Sequence, residues 1–227
     1  MYWILFIGIA LASWLVQANL KNKFEKYSKI PIDGGLTGRD IAVKMLHDNG
    51  IYDVRVTSTP GMLTDHYNPA NKTVNLSEGV YGSNSVAAAA VAAHECGHAI
   101  QHAKSYAPLS IRSALVPIAN FGSMLAWPVI LIGLLFNTRS SGLIIDIGIL
   151  LFSAAVLFQL VTLPVEFDAS RRALVMLRTQ GILADDELKY TRRVLKSAAL
   201  TYVASAAAAI LQLLRIILIT NGRRRDD

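Results

Sequence analysis

Apolar side chains fall in four long runs, at residues 1–20, 116–136, 143–163 and 199–219, and the stretches between them are mixed or polar. A helix needs about 20 apolar residues to cross the hydrocarbon of a bilayer, so each run is long enough to span one. The first run has no basic residue ahead of it and no small-x-small cleavage site, which favours an uncleaved anchor over a secretion signal.

The segment between the first two runs carries other periodicities. Thr37-Gly38-Arg39-Asp40 has the form of a capping box, ahead of Ile41, Ala42, Met45 and Leu46 at helical spacing. Asn49-Gly50 is the stop signal for that helix. Residues 52–57 alternate Val54 and Val56 with Asp53 and Arg55 and predict a strand. Residues 62–67 and 73–76, joined through Asn68-Pro69-Ala70-Asn71, predict a hairpin. Ser83-Asn84-Ser85 offers caps for an alanine-rich helix from Val86 to about Lys104. Pro164 is expected to stop the third run. Residues 166–197 then read as an amphipathic helix outside the hydrocarbon, and the Arg-rich tail 223–227 as disordered. The resulting divisions are an anchor at 1–20, a soluble segment at 21–115, a membrane hairpin at 116–163, a helix at 164–198, and a last membrane helix with a basic tail at 199–227.

Composition adds little to this pattern except through charge. Of the 227 residues, 53% are hydrophobic, and the net charge is +6. The basic residues flank the apolar runs and form no aromatic-interleaved stripe, which argues for membrane orientation and against a nucleic-acid partner. Runs two and three form a hairpin, so the segments on either side of it share one face of the membrane. That face holds Lys21, Lys23, Lys26, Lys29, Arg171, Arg172, Arg178, Arg192, Arg193 and Lys196, against Arg139 alone in the connecting turn. The positive-inside rule puts the large segments in the cytoplasm of a multi-pass cell-membrane protein. A fully crossing fourth run would leave the Arg-rich tail outside, against that rule. Cys96 is the only cysteine, so no internal disulfide can form.

The candidate chemistry lies in the alanine-rich helix, at His94-Glu95-Cys96-Gly97-His98. Positions four apart stack on one helical face, so both imidazoles can point at one Zn²⁺. Glu95 is then placed to take a proton from a zinc-bound water. A chance match would put two His and a Glu in the middle of an apolar helix, which is costly unless they are paired or metal-bound. Gly97 leaves one side of the helix free for close approach, and Cys96 points away from the His face.

A catalytic zinc takes three protein ligands and keeps one position open. His102 shares the helical face but lies one turn further along. His66 has no spacing argument. Glu166 follows the third apolar run on the same side of the membrane, and two His with a later Glu make a known ligand set. The plainer reading of Glu166 is an interfacial carboxylate paired with Arg171 or Arg172.

The stretch His94-Glu95-Cys96-Gly97-His98-Ala99-Ile100-Gln101-His102, followed by Pro164-Val165-Glu166-Phe167-Asp168-Ala169-Ser170-Arg171-Arg172-Ala173, resembles the YugP-type neutral zinc metallopeptidases of bacterial membranes. Asp65-His66-Tyr67 and the order of apolar runs fit the same resemblance, which covers nearly the whole chain. It implies His94, His98 and Glu166 as ligands of one Zn²⁺ per chain, Glu95 as catalytic base, and a peptide or protein substrate. The chain is more distantly similar to HtpX-type peptidases, which place a Glu-x-x-Ala-Asp motif after a membrane hairpin. Here Ser170 stands where that family has Asp, so the contact to a zinc-binding His falls to Ser170, a weaker acceptor, or to Asp168. The expected fold is an α-helical membrane protein with about four transmembrane helices and a small α+β, zincin-like catalytic part.

Further roles are open to neighbouring residues. Residues 72–76 could offer an exposed strand edge to an extended peptide, with His66 or Tyr67 donating to the developing oxyanion. An intramembrane site-2-type protease would use a membrane Asp, and Asp146 is the candidate. It lies about 17 residues, or roughly 25 Å of helix, from the end that carries Glu166. A non-catalytic assembly protein with a structural zinc would want four, usually Cys-rich, ligands, and one cysteine weakens that reading. Ala204, Ser205 and Ala208 form a small-residue face that permits helix packing within or between chains and leaves the oligomeric state open.

Overall fold

Capping chemistry sets the first elements after the N-terminal helix α1 (Tyr2–Tyr27). Helix α2 (Gly38–Asp48) starts at the expected capping box: Thr37 Oγ1 accepts from the Asp40 backbone N–H, and the Asp40 carboxylate accepts from the Thr37 N–H. It ends at Asn49 and Gly50, whose φ of 73° is one a glycine adopts without strain. The predicted hairpin forms between β2 (His66–Asn68) and β3 (Thr73–Ser77), antiparallel, with Tyr67 opposite Val74. Strand β1 (Arg55–Thr59) starts three residues later than the alternation suggested, because its partners are Thr73 to Ser77 of β3, in parallel. The sheet order is therefore β1-β3-β2. This corrects one expectation: residues 72–76 are not an exposed edge, since β3 is central and paired on both sides. The short helix α3 (Glu78–Tyr81) leads to α4 (Val86–Ala103), capped by Ser85 Oγ accepting from Ala88 N–H.

The computed structural model describes residues 2–136 and 141–226, with side chains described for 7–136 and 141–220. The polar turn expected around residues 137–142, with Arg139, falls largely outside the described residues, as do Met1 and Asp227. Three long helices follow α4: α5 (Ala107–Leu135), α6 (Ser141–Thr179) and α7 (Asp185–Asp226). Three expectations need correction. Pro164 does not end the third run but lies inside α6, which carries on to Thr179. A proline removes one backbone donor and costs about 3 kcal/mol in a helix interior, and here the helix after it is held by buried Val165, Glu166, Ala169 and Ala173. The expected single helix over 164–198 is instead broken at residues 180–184, where Gly181 adopts φ 63° and Asp185 begins α7. The Arg-rich tail also continues α7 to Asp226, since extending an existing helix is easy compared with nucleating one.

The chain divides into two compact units. One comprises residues 15–109 and 164–201. Its core joins Ile41, Met45 and Leu46 of α2 to Val74 and Leu76 of β3, the alanines of α4, Leu177 of α6 and Val194 of α7. Six alanines from Ala87 to Ala93 are wholly buried, and such small side chains let neighbouring elements approach the α4 backbone. The other unit comprises residues 1–14, 110–163 and 202–227. There α5 and α6 pack at glycines: a Cβ on Gly122 would lie 2.5 Å from the Leu151 carbonyl oxygen, and one on Gly148 would strike Ile130. Small residues at helix crossings are the usual packing device within bilayers.

Three described helices, α5, α6 and α7, are long and apolar enough to cross a membrane. They expose large apolar side chains such as Phe121, Leu143, Leu150 and Leu218. Of the remaining expected span, residues 1–20, those from Tyr2 onward fall within α1, and the side chains of its first six residues lie outside the described residues.

Candidate metal centre

His94 and His98 sit one turn apart on α4, and Glu166 stands on α6. The two helices meet at Gly97, where a Cβ would lie 2.7 Å from the Ala169 carbonyl oxygen and 3.1 Å from its Cα. That approach brings residues 166 and 170 against residues 94 and 98. His94 Nε2 lies 3.2 Å from Glu166 Oε2, and His98 Nε2 lies 3.5 Å from the same oxygen. One ligand atom from each of the three residues lies within 4.8 Å of the others, and all three residues are buried. They could hold a metal ion, and among the described residues no fourth His, Cys, Asp or Glu joins them.

Hydrogen bonds behind the imidazoles orient them. Gln101 Nε2 donates to the Val165 carbonyl at 2.8 Å and to Asp168 Oδ2 at 3.0 Å. Its Oε1 therefore faces His98 Nδ1, 3.0 Å away, and that ring nitrogen must carry the proton. Whenever the ring is neutral, its lone pair is therefore on Nε2, the nitrogen that faces Glu166. His94 Nδ1 lies 3.1 Å from Ser170 Oγ, which can accept its proton and leave Nε2 bare in the same way. Asp168 does not touch either imidazole. It accepts from Gln101, Arg171 and Arg172, and so anchors the amide that orients His98.

A buried carboxylate flanked by two imidazoles calls for positive charge beside it, on the rings or on a bound cation. Burial opposes charge on Glu166, yet His94 and His98 outweigh it and hold its carboxyl well below the ordinary carboxylate range. Burial likewise opposes charge on His98, and the Glu166 carboxylate reverses the effect and raises its pKa. The site thus attracts cations, and its donor set, two imidazoles and one carboxylate with no thiolate, suits zinc. Cys96 is buried on the far side of α4 with Sγ against the Ala42 carbonyl, and burial pushes its thiol strongly up.

Glu95 is 7% exposed and has no hydrogen-bond partner among the described residues. Asp65 is in its electrostatic neighbourhood: burial pushes the Asp65 carboxyl up, hydrogen bonds from Ser77 oppose the rise, and the Glu95 charge adds to it. His66, Tyr67 and His102 do not join the cluster. His66 is exposed, with Nδ1 2.9 Å from the Thr64 carbonyl and Nε2 3.2 Å from Asn75 Nδ2. Tyr67 Oη and His102 Nδ1 pair with each other at 2.8 Å. Sequence reasoning missed Gln101, although its spacing of three from His98 and seven from His94 puts it on the same helical face.

Two histidines and a later glutamate thus form a donor set that could hold a zinc ion, with Glu95 next to His94 on the same helix. The chain belongs to the family described as "Putative neutral zinc metallopeptidase", whose family model matches residues 2–221. It is 45% identical over 224 residues, covering 96% of this chain and 98% of the relative, to the "Putative membrane protease YugP" of Bacillus subtilis strain 168. No solved structure matches.

Proposed function

We propose that this protein is a zinc endopeptidase that cleaves peptide bonds at the membrane surface, with Glu95 as general base and with His94, His98 and Glu166 holding one zinc ion. The reading is carried by the convergence of the three donor atoms within 4.8 Å, which no fourth His, Cys, Asp or Glu joins among the described residues. Structural zinc sites are closed by four ligands, whereas catalytic ones keep a position for water or substrate. Zinc, when bound, supplies Lewis acidity that makes water a nucleophile near neutral pH.

The protein's own residues do the rest. Glu95, buried and without a hydrogen-bond partner among the described residues, takes the proton of the attacking water and returns it to the departing amine. Gln101 and Ser170 keep the imidazole rings in register. The first residues after the apolar run 143–163 include Glu166, which puts the chemistry at the edge of the bilayer. Flanking Lys and Arg residues favour the cytoplasmic edge of a four-span, multi-pass protein. Substrates reaching such a site would be membrane-proximal, unfolded or small polypeptides.

The test compares wild type with Glu95→Gln in detergent, measuring zinc content and hydrolysis of an unfolded protein. The variant should keep its zinc and lose about 100-fold or more in rate. Wild-type hydrolysis by Glu95→Gln would refute the role of this carboxylate.

A further inference from the structure

Beyond the metal centre, α6 and α7 enclose a groove of about 440 Å³ that lies wholly within the unit of residues 15–109 and 164–201. We propose that this groove binds one anionic phospholipid, its phosphate held by Arg171, Arg192 and Lys196 and an acyl chain lying along Phe167 and Leu195 toward the apolar runs.

Helical spacing makes the two walls. Residues 167, 171 and 175 share one face of α6, and residues 192, 196 and 199 share one face of α7. Phe167, nearest the apolar run, is 46% exposed, and Val175, about two turns further along α6, is 53% exposed. The rim carries three cations and the lining contains no acidic residue. Arg171 donates to Asp168 but keeps 72% of its side chain exposed. Arg192 and Lys196 are exposed and have no ion-pair partner among the described residues.

Position along the chain selects the occupant. Phe167 lies four residues beyond the end of the apolar run 143–163, and Ala199, also in the lining, begins the run 199–219. Both walls therefore run directly into apolar helices long enough to cross a membrane. A ligand fitting there needs an anionic head for the rim and an apolar tail continuous with the hydrocarbon, which is the chemistry of an anionic phospholipid. A soluble acidic peptide would satisfy the cations but not the apolar floor. Ser170, which meets His94 Nδ1, also lines the groove, so the lipid site and the metal centre share one side chain.

The inference rests on the membrane placement proposed above and not on the peptidase chemistry. Native mass spectrometry of the full-length protein, released from mild detergent and titrated with phosphatidylglycerol or phosphatidylcholine of the same acyl chains, tests it. Wild type should retain one phosphatidylglycerol with about tenfold preference. Arg192→Gln with Lys196→Gln should bring retention down to the phosphatidylcholine level. Lys21→Gln with Lys23→Gln, the same loss of charge beside another apolar run, should leave it intact, as should Glu95→Gln. Equal retention of both lipids, undiminished retention in the Arg192/Lys196 variant, or equal loss in the Lys21/Lys23 control would overturn the proposal. Displacement of the lipid by an equal concentration of a soluble acidic peptide or of inorganic phosphate would overturn it too.

Discussion

Gly97 on α4 stands directly against the backbone of Ala169 on α6, so close that a single added Cβ would come within 2.7 Å of a carbonyl oxygen. Every donor of the candidate metal centre depends on that contact, because residues 94 and 98 flank one side of it and residues 166 and 170 the other.

Gly97→Ala should therefore push the helices apart. Overpacking of this kind costs about 1–3 kcal/mol, and separation of the Glu166 carboxylate from the imidazoles should weaken zinc binding as well. Thermal unfolding in detergent with parallel measurement of zinc content checks both. An alanine variant as stable and as zinc-replete as wild type would show that the helices can yield here.

Gln101 should matter through His98. Gln101→Met keeps the volume but removes the acceptor that holds the His98 Nδ1 proton and the donor to Asp168. Loss of such orienting partners typically lowers metal affinity about 10–100-fold. Competition against a chromophoric chelator measures it.

Ser170 should act on His94 in the same manner. Ser170→Ala removes the contact at His94 Nδ1 and should weaken zinc binding by up to about tenfold. Ser170→Asp supplies a stronger acceptor and should bind zinc at least as tightly as wild type. Identical affinity in the alanine variant would show that His94 needs no partner at this position.

Asp168 makes a pH prediction. Burial opposes its charge, but hydrogen bonds from Arg172, Gln101 and Arg171 outweigh it and bring its carboxyl down to about 2. A carboxyl whose pKa is lower in the folded protein stabilises fully above its unfolded value, about 3.9, and loses that contribution as pH falls through the folded value. Metal-free wild type should thus be more stable than metal-free Asp168→Asn at neutral pH, with the gap closing between pH about 4 and about 2. A gap that stays constant over that interval would show that the Asp168 charge contributes nothing.

Local chemistry was the most legible part of the fold. The capping box at Thr37 and Asp40, the stop at Gly50 and the Ser85 cap all depend on residues within a few positions of one another, and all formed as expected. Pairing over longer distances was not readable. Nothing in residues 55–59 states that β3 is their parallel partner, so the edge role given to residues 72–76 failed. Pro164 misled because a proline's cost is local, whereas the burial that offsets it is tertiary. Within the site, His94, Glu95 and His98 announce themselves by spacing, and Glu166 became a candidate through its place just after the third apolar run, a candidacy the resemblance then reinforced. Gln101 stayed hidden because a glutamine on a helix has no signature until its partners, Val165 and Asp168, are in place.

The most direct measurement is the zinc-edge X-ray absorption spectrum of the zinc-loaded protein, recorded for wild type and for Glu166→Ala. Two imidazoles and further oxygen scatterers, with no sulfur, are expected in wild type, and the variant should bind zinc weakly or lose one oxygen scatterer. Sulfur in the first shell, a single imidazole, or an unchanged spectrum at full occupancy in Glu166→Ala would contradict the centre described for this protein.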